Sequence, residues 1–146
     1  MKSIEETARL AVDCGFQIHQ QLGPGLLESV YEAVLEIKLK RMGLFVERQL
    51  PVPISYEGVV LQEAFRIDLL VERSLVIEVK SVEKLQPVHG KQLLTYLRLI
   101  EQPLGLLMNF CNATFREGLK RVVNGHFDFA SSRLRVHNPS QPPTTK

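Results

Sequence analysis

Two short stretches carry the groups most able to do chemistry. Asp68 stands in Phe65-Arg66-Ile67-Asp68-Leu69-Leu70, and a turn and strand further on comes the triplet Glu78-Val79-Lys80. Side chains two apart in a strand share a face, so Glu78 and Lys80 point one way while Ile77 and Val79 point into apolar packing. A hairpin-like pairing about Glu72-Arg73-Ser74 sets opposite each other residues whose numbers sum to about 146, which places Asp68 beside Glu78. Two carboxylates in one partly buried patch repel unless a cation stands between them. Lys80 supplies part of that charge and a divalent ion more, and oxygen ligands of this kind suit Mg²⁺ or Mn²⁺. Such an ion on one or two carboxylates keeps several waters, leaving positions for a phosphate oxygen and a nucleophile. An Asp, a Glu and a Lys on a strand face also suit a plain solvated surface, and spacing by itself leaves both readings open.

The elements that must position these groups follow from hydrophobic period and punctuation. Residues 3–22 read as an amphipathic helix: Ser3 caps it with Glu6 at capping-box spacing, and Ile4, Ala8, Ala11, Val12, Ile18 and Leu22 share a face. Gly23-Pro24-Gly25 ends it, and a second helix is predicted from Leu26 to Met42, stopped by Gly43. Leu44–Gln49 and Val52–Tyr56 are β-rich, with Pro51 and Pro53 suiting an edge or a broken strand. Glu57-Gly58 reads as a hairpin turn into a long strand, Val59–Val71, in which Phe65, Ile67, Leu69 and Val71 alternate with Ala64, Arg66, Asp68 and Leu70. A third strand spans Leu75–Val82, completing an antiparallel meander. Pro87 opens a helix to Ile100, and Leu104–Phe110 is apolar throughout, as in a strand buried on both faces. Gly118–Val123 reads as one more short strand, with a helix over Phe115–Val123 as the competing reading.

The order α-α-β-β-β-α-β-(β) predicts an α/β (α+β) fold, one mixed β-sheet flanked by helices. The expected layout is a single domain over residues 1–126 and a loosely ordered tail over 127–146, where proline is frequent and apolar residues are few. The chain's 146 residues, 45% hydrophobic and 23% charged, exclude global disorder and suffice for a core without cross-links. Its formal charge of +2 is too small to argue for a nucleic-acid partner. No stretch approaches the roughly 18 to 20 apolar residues of a membrane span. The start Met1-Lys2-Ser3-Ile4-Glu5-Glu6 lacks the pattern of a signal peptide. Cys14 and Cys111, without metal-ligand spacing, read as reduced thiols, and a cytoplasmic location is expected.

Asp68 followed by Glu78-Val79-Lys80 resembles the signature of the PD-(D/E)XK nuclease superfamily, and the α-β-β-β-α-β order is similar to that superfamily's restriction-endonuclease-like core. Leu22-Gly23-Pro24-Gly25-Leu26-Leu27-Glu28-Ser29-Val30-Tyr31 resembles the defining segment of the GxxExxY family within it. Phe65-Arg66-Ile67-Asp68, Pro87-Val88-His89, Gln92-Leu93-Leu94-Thr95-Tyr96 and Leu106-Leu107-Met108-Asn109-Phe110 are further matches, so the likeness runs from about Ile4 to Asn124. One departure is that Ile67 stands where the superfamily's name expects proline.

The resemblance implies Asp68 and Glu78 as Mg²⁺ ligands, with Mn²⁺ as a substitute, and Lys80 as the catalytic lysine. It implies Glu28 as the helical acid that completes or orients the metal site. Gln92 and Tyr96 match a helical Gln-x-x-x-Tyr element, and their i, i+4 spacing puts both on one face, able to meet a phosphate, a metal-bound water or a carboxylate. Tyr31 suits the core better than the site, and His19 and His89 suit structural roles better than catalytic ones. The expected activity is metal-dependent hydrolysis of nucleic-acid phosphodiesters by a metal-activated water, with DNA favoured over RNA. Many superfamily members are dimers, so a homodimer is a further expectation. The alternative is a catalytically silent nuclease-fold module that binds nucleic acid or protein.

Overall fold

The computed structural model describes residues 2–125 and 135–136. Helices α1 (Ile4–Leu22) and α2 (Glu28–Arg41) precede strands β1 (Val46–Tyr56), β2 (Val59–Val71) and β3 (Leu75–Lys80). Helix α3 (Pro87–Leu99), strand β4 (Leu104–Asn109), a helical turn α4 (Phe115–Gly118) and strands β5 (Leu119–Val123) and β6 (Arg135–Val136) follow. The sheet runs β5-β4-β3-β2-β1-β6, with β3 and β4 parallel and the other neighbours antiparallel. This is the mixed α+β architecture that the element order predicts. The tail reading falls on 127–146, which lies outside the described residues apart from the short β6 pairing with Ile54 and Ser55.

Local chemistry explains the boundaries. Ser3 Oγ accepts from Glu6 N–H and starts α1 (3.2 Å). Gly23, at φ 70°, ends the helix with its N–H on the His19 carbonyl (2.8 Å). The β1–β2 turn is the two-residue Glu57-Gly58, with both φ values positive (48° and 79°), matching the twist of a tight hairpin. The β2–β3 pairs Leu69↔Ile77, Leu70↔Val76 and Val71↔Leu75 all obey the predicted register.

Three readings change. Leu44–Gln49 and Val52–Tyr56 are one strand, because Pro51 and Pro53 lie in a strand whose far side pairs, among the described residues, only with β6, at Ile54 and Ser55. The 115–123 segment divides between the two readings, a helical turn capped by Thr114 and then a strand. The third departure concerns the long strand. Phe65, Ile67, Leu69 and Val71 do not share a face: Leu69 and Val71 join the core under α1 and α2, while Phe65 and Ile67 join the core under α3. Strand β1 switches in the same way, Val46 packing on the first side and Leu50, Val52 and Ile54 on the second. The switch falls at Gln49 and Asp68, and Gln49 has the left-handed φ of 52° that turns the ribbon.

The sheet therefore separates two cores. Ala8, Ala11, Ile18, Tyr31, Leu35 and Leu39 cover one face of β2–β4, and Leu93, Leu97 and Ile100 cover the other. On β3, Leu75, Ile77 and Val79 face α1 and α2, which turns Glu78 and Lys80 towards α3.

Candidate metal centre

The site forms where β2 and β3 part. Leu69↔Ile77 is the last pair of their ladder. Beyond it Val79 N–H donates to Asp68 Oδ2 at 2.9 Å, and Asp68 N–H donates to Glu78 Oε1 at 3.4 Å. Two side-chain carboxylates thus take over the bonding of two backbone groups, and Asp68 and Glu78 are brought together.

Their environments differ. Glu78 is only 4% exposed, whereas Asp68 is half-buried. Burial pushes the Glu78 carboxyl well above the ordinary carboxylate range, and the adjacent Asp68 pushes it the same way. Lys80, two residues on and half-buried, pulls it down more weakly. The Lys80 backbone is fixed: its carbonyl accepts from Phe110 N–H (2.9 Å) and the residue pairs with Asn109 in the parallel ladder.

Tyr96 approaches from α3. Its ring stacks on Phe65 with centroids 4.2 Å apart and planes 12° from parallel. Burial first, and then the charges of Glu78 and Asp68, raise its hydroxyl pKa. The phenol is accordingly a proton-bearing donor beside the two acids. Gln92 is exposed one helical turn earlier.

Glu28 comes from a third element. As the first residue of α2 its Oε2 accepts from Ser81 N–H (3.1 Å), while Ser81 Oγ donates to the Leu26 carbonyl (2.8 Å). It ties the helix start to the residue after Lys80, and its charge suits a helix N-terminus. Among the described residues no three His, Cys, Asp or Glu side chains cluster as joint metal ligands.

Other side chains have structural duties. Tyr31 is fully buried, stacks on Phe110, donates to the Gly23 carbonyl (2.5 Å) and accepts from Leu26 N–H (3.1 Å), pinning the Gly23-Pro24-Gly25 turn. His89 Nδ1 accepts from Gln86 N–H (2.9 Å) in the capping box of α3, and His19 Nε2 lies 2.8 Å from the Asn112 carbonyl. Cys14 and Cys111 are free thiols.

Sequence reasoning missed two supporting groups. Glu32, one turn after Glu28 and 4% exposed, accepts from Arg48 Nε and Gln49 Nε2, both at 2.8 Å. The signal was a second acid four residues along the same helix. Asn109, fully buried, accepts from Val82 N–H (3.0 Å) and donates to the Val82 carbonyl (2.8 Å), clamping the chain just after Lys80.

A family model described as the PD-(D/E)XK nuclease superfamily matches residues 5–122. Comparisons with curated proteins and with solved structures found no match. Among the described residues no helix is long and apolar enough to cross a membrane.

Proposed function

The chain belongs to the PD-(D/E)XK nuclease superfamily, and we propose that it is a divalent-metal-dependent hydrolase of nucleic-acid phosphodiesters, acting on DNA. We place it in the GxxExxY family on the segment Gly25-Leu26-Leu27-Glu28-Ser29-Val30-Tyr31, and in the cytoplasm on its two free cysteines. The observation that carries the reading is the meeting of Asp68 and Glu78 at the parted strand ends, with Lys80 on the same face of β3.

The donor set fits a hard divalent cation. Two oxygen-bearing acids lie together, one nearly buried and resisting its own negative charge, which is the electrostatic demand that such an ion meets. Two carboxylates suit Mg²⁺, which retains waters and takes substrate phosphate for the rest of its shell, and Mn²⁺ suits the same donors. When bound, such an ion supplies Lewis-acid polarisation of a phosphoryl oxygen and acidifies water. Asp68 and Glu78 would hold it, and Glu28 would orient the site through Ser81, next to Lys80.

The protein's own groups have separable tasks. Lys80 offsets negative charge as phosphorus gains an oxygen and stands ready to exchange a proton with the attacking water. Tyr96, its proton held tightly, donates a hydrogen bond to a phosphate oxygen or to Asp68. Gln92, exposed one turn away, positions the phosphate. The apolar side of β3 keeps the acids in place without taking part.

A second reading, a silent module for nucleic-acid or protein binding, is favoured by one observation: among the described residues no third acid completes a ligand cluster. Cleavage of single-stranded, duplex and branched oligonucleotides in Mg²⁺ or Mn²⁺ separates the two. Hydrolysis that is lost in both Asp68→Asn and Lys80→Ala supports the enzyme. Absence of hydrolysis on every substrate, together with no Mn²⁺ uptake by calorimetry, supports the silent module.

A further inference from the structure

We infer that Gln49 is a positioning residue, holding the Asp68 carboxylate in its attitude towards Glu78; the inference rests on the reading of that pair as the cation holders. Gln49 lies in the middle of β1 with φ 52°, a conformation that glycine and asparagine adopt far more readily than glutamine. An unfavourable backbone persists only where surrounding contacts hold it, and here the side chain supplies them. Nε2 donates to Glu32 Oε1 at 2.8 Å and to Asp68 Oδ1 at 3.3 Å, joining α2 to β2. Both neighbours are acceptors, so the amide NH₂ and not its oxygen must face them. One neutral nitrogen with two hydrogens serves two carboxylates, and neither a third acid nor a hydroxyl does this.

The anchor is firm. Glu32 is 4% exposed and is held by the exposed Arg48 through Nε at 2.8 Å, so the bridge runs from a buried acid whose charge is paired. On the other side Asp68 Oδ2 accepts from Val79 N–H. One donor on each oxygen restricts both side-chain torsions of Asp68 and leaves each oxygen free lone-pair capacity. The ladder gives the same picture. Arg48↔Leu69 and Leu50↔Ile67 keep one register, and Gln49 and Asp68 stand between them at the point where both strands exchange faces. The bend and the amide bridge therefore act at one place, and together they aim Asp68 at the parted end of β3.

Gln49→Gly separates the two, since glycine keeps the left-handed backbone and removes the amide. Isothermal calorimetry with Mn²⁺ alone on the full chain, with melting temperature and kcat and KM measured in parallel, reads the result. The expected outcome is Mn²⁺ affinity weakened about tenfold or more, a kcat loss at nearly unchanged KM, and a melting temperature within about 3 °C of the parent. Should glycine loosen the hairpin, Gln49→Asn is the second variant, because asparagine accepts positive φ and its shorter amide does not span both acids. Parent-like Mn²⁺ affinity in a folded variant overturns the role of Gln49 and leaves the metal-holding pair standing. Absence of Mn²⁺ binding by the parent chain overturns the pair, and this inference with it.

Discussion

The two faces of β3 contrast within six residues. Leu75, Ile77 and Val79 are each fully buried under α1 and α2, with their side chains in one apolar cluster. On the opposite face Val76 is equally buried, but Glu78 is a nearly buried acid and Lys80 is half open. Packing fixes the first face to the tolerance of a close-packed interior, in which a single methylene is felt. The second face inherits that placement and carries an electrostatic cost that apolar packing on the first must outweigh. A charged site is held in a fixed place here because the same strand is immovable on its other side.

The two faces should accordingly fail in different ways. Asp68→Asn keeps the size of the side chain and removes the charge that would hold a cation. Cleavage should fall by about 10³-fold or more, with the melting temperature close to the parent's, as thermal scans beside a cleavage assay would show. Retained cleavage would place the active chemistry elsewhere. Ile77→Ala attacks the packed face, and the deleted methylenes and residual cavity should cost about 3 kcal/mol of stability in urea unfolding. Its per-molecule cleavage rate at low temperature should change far less than its stability. A variant of parent stability would mean that this face is not the anchor.

A smaller effect is expected behind Lys80. A Cβ built on Gly118 would stand 1.9 Å from the Asn109 carbonyl oxygen, and Asn109 clamps Val82. Gly118→Ala should therefore destabilise the fold by about 2 kcal/mol, the scale of an overpacked core site. Mn²⁺ affinity, read by calorimetry on the folded fraction, should fall alongside, since the backbone after Lys80 has to move.

How far these features showed in the sequence follows from what generates them. The β2–β3 register was readable because Leu69–Val71 and Leu75–Ile77 are apolar on both sides of a polar turn, which leaves few alternatives. Helix α3 announced itself through Pro87 and the run of leucines that follows. The change of face at Asp68 was hidden, because Phe65, Ile67, Leu69 and Val71 keep a perfect two-residue period whichever core each enters. Gln49 gave no sign of its positive φ, since glutamine carries no preference for that region. Glu32 looked like one more helix-surface acid, and only the approach of Arg48 and Gln49 makes it a buried partner. Local patterns disclosed the elements; the supports of the site arise from contacts between elements distant in sequence.

The smallest expected effect tests the electrostatic half of the contrast. Burial and Asp68 raise the pKa of Glu78 above its unfolded value, so the folded chain binds that proton more tightly than the unfolded chain does. The stability linked to this proton is complete below the unfolded pKa, near the ordinary 4.5, and is lost as pH rises through the folded value. Glu78→Gln keeps a neutral side chain of the same shape at every pH. Without divalent ions, its melting temperature should match the parent's at the acidic end and rise above it progressively towards and beyond neutrality. Added Mn²⁺ should narrow that gap by stabilising the parent alone, because binding to the folded state raises its stability by mass action. Parallel melting curves across the pH range would mean that Glu78 carries its charge in the fold at no cost, and then nothing on this face would call for a cation.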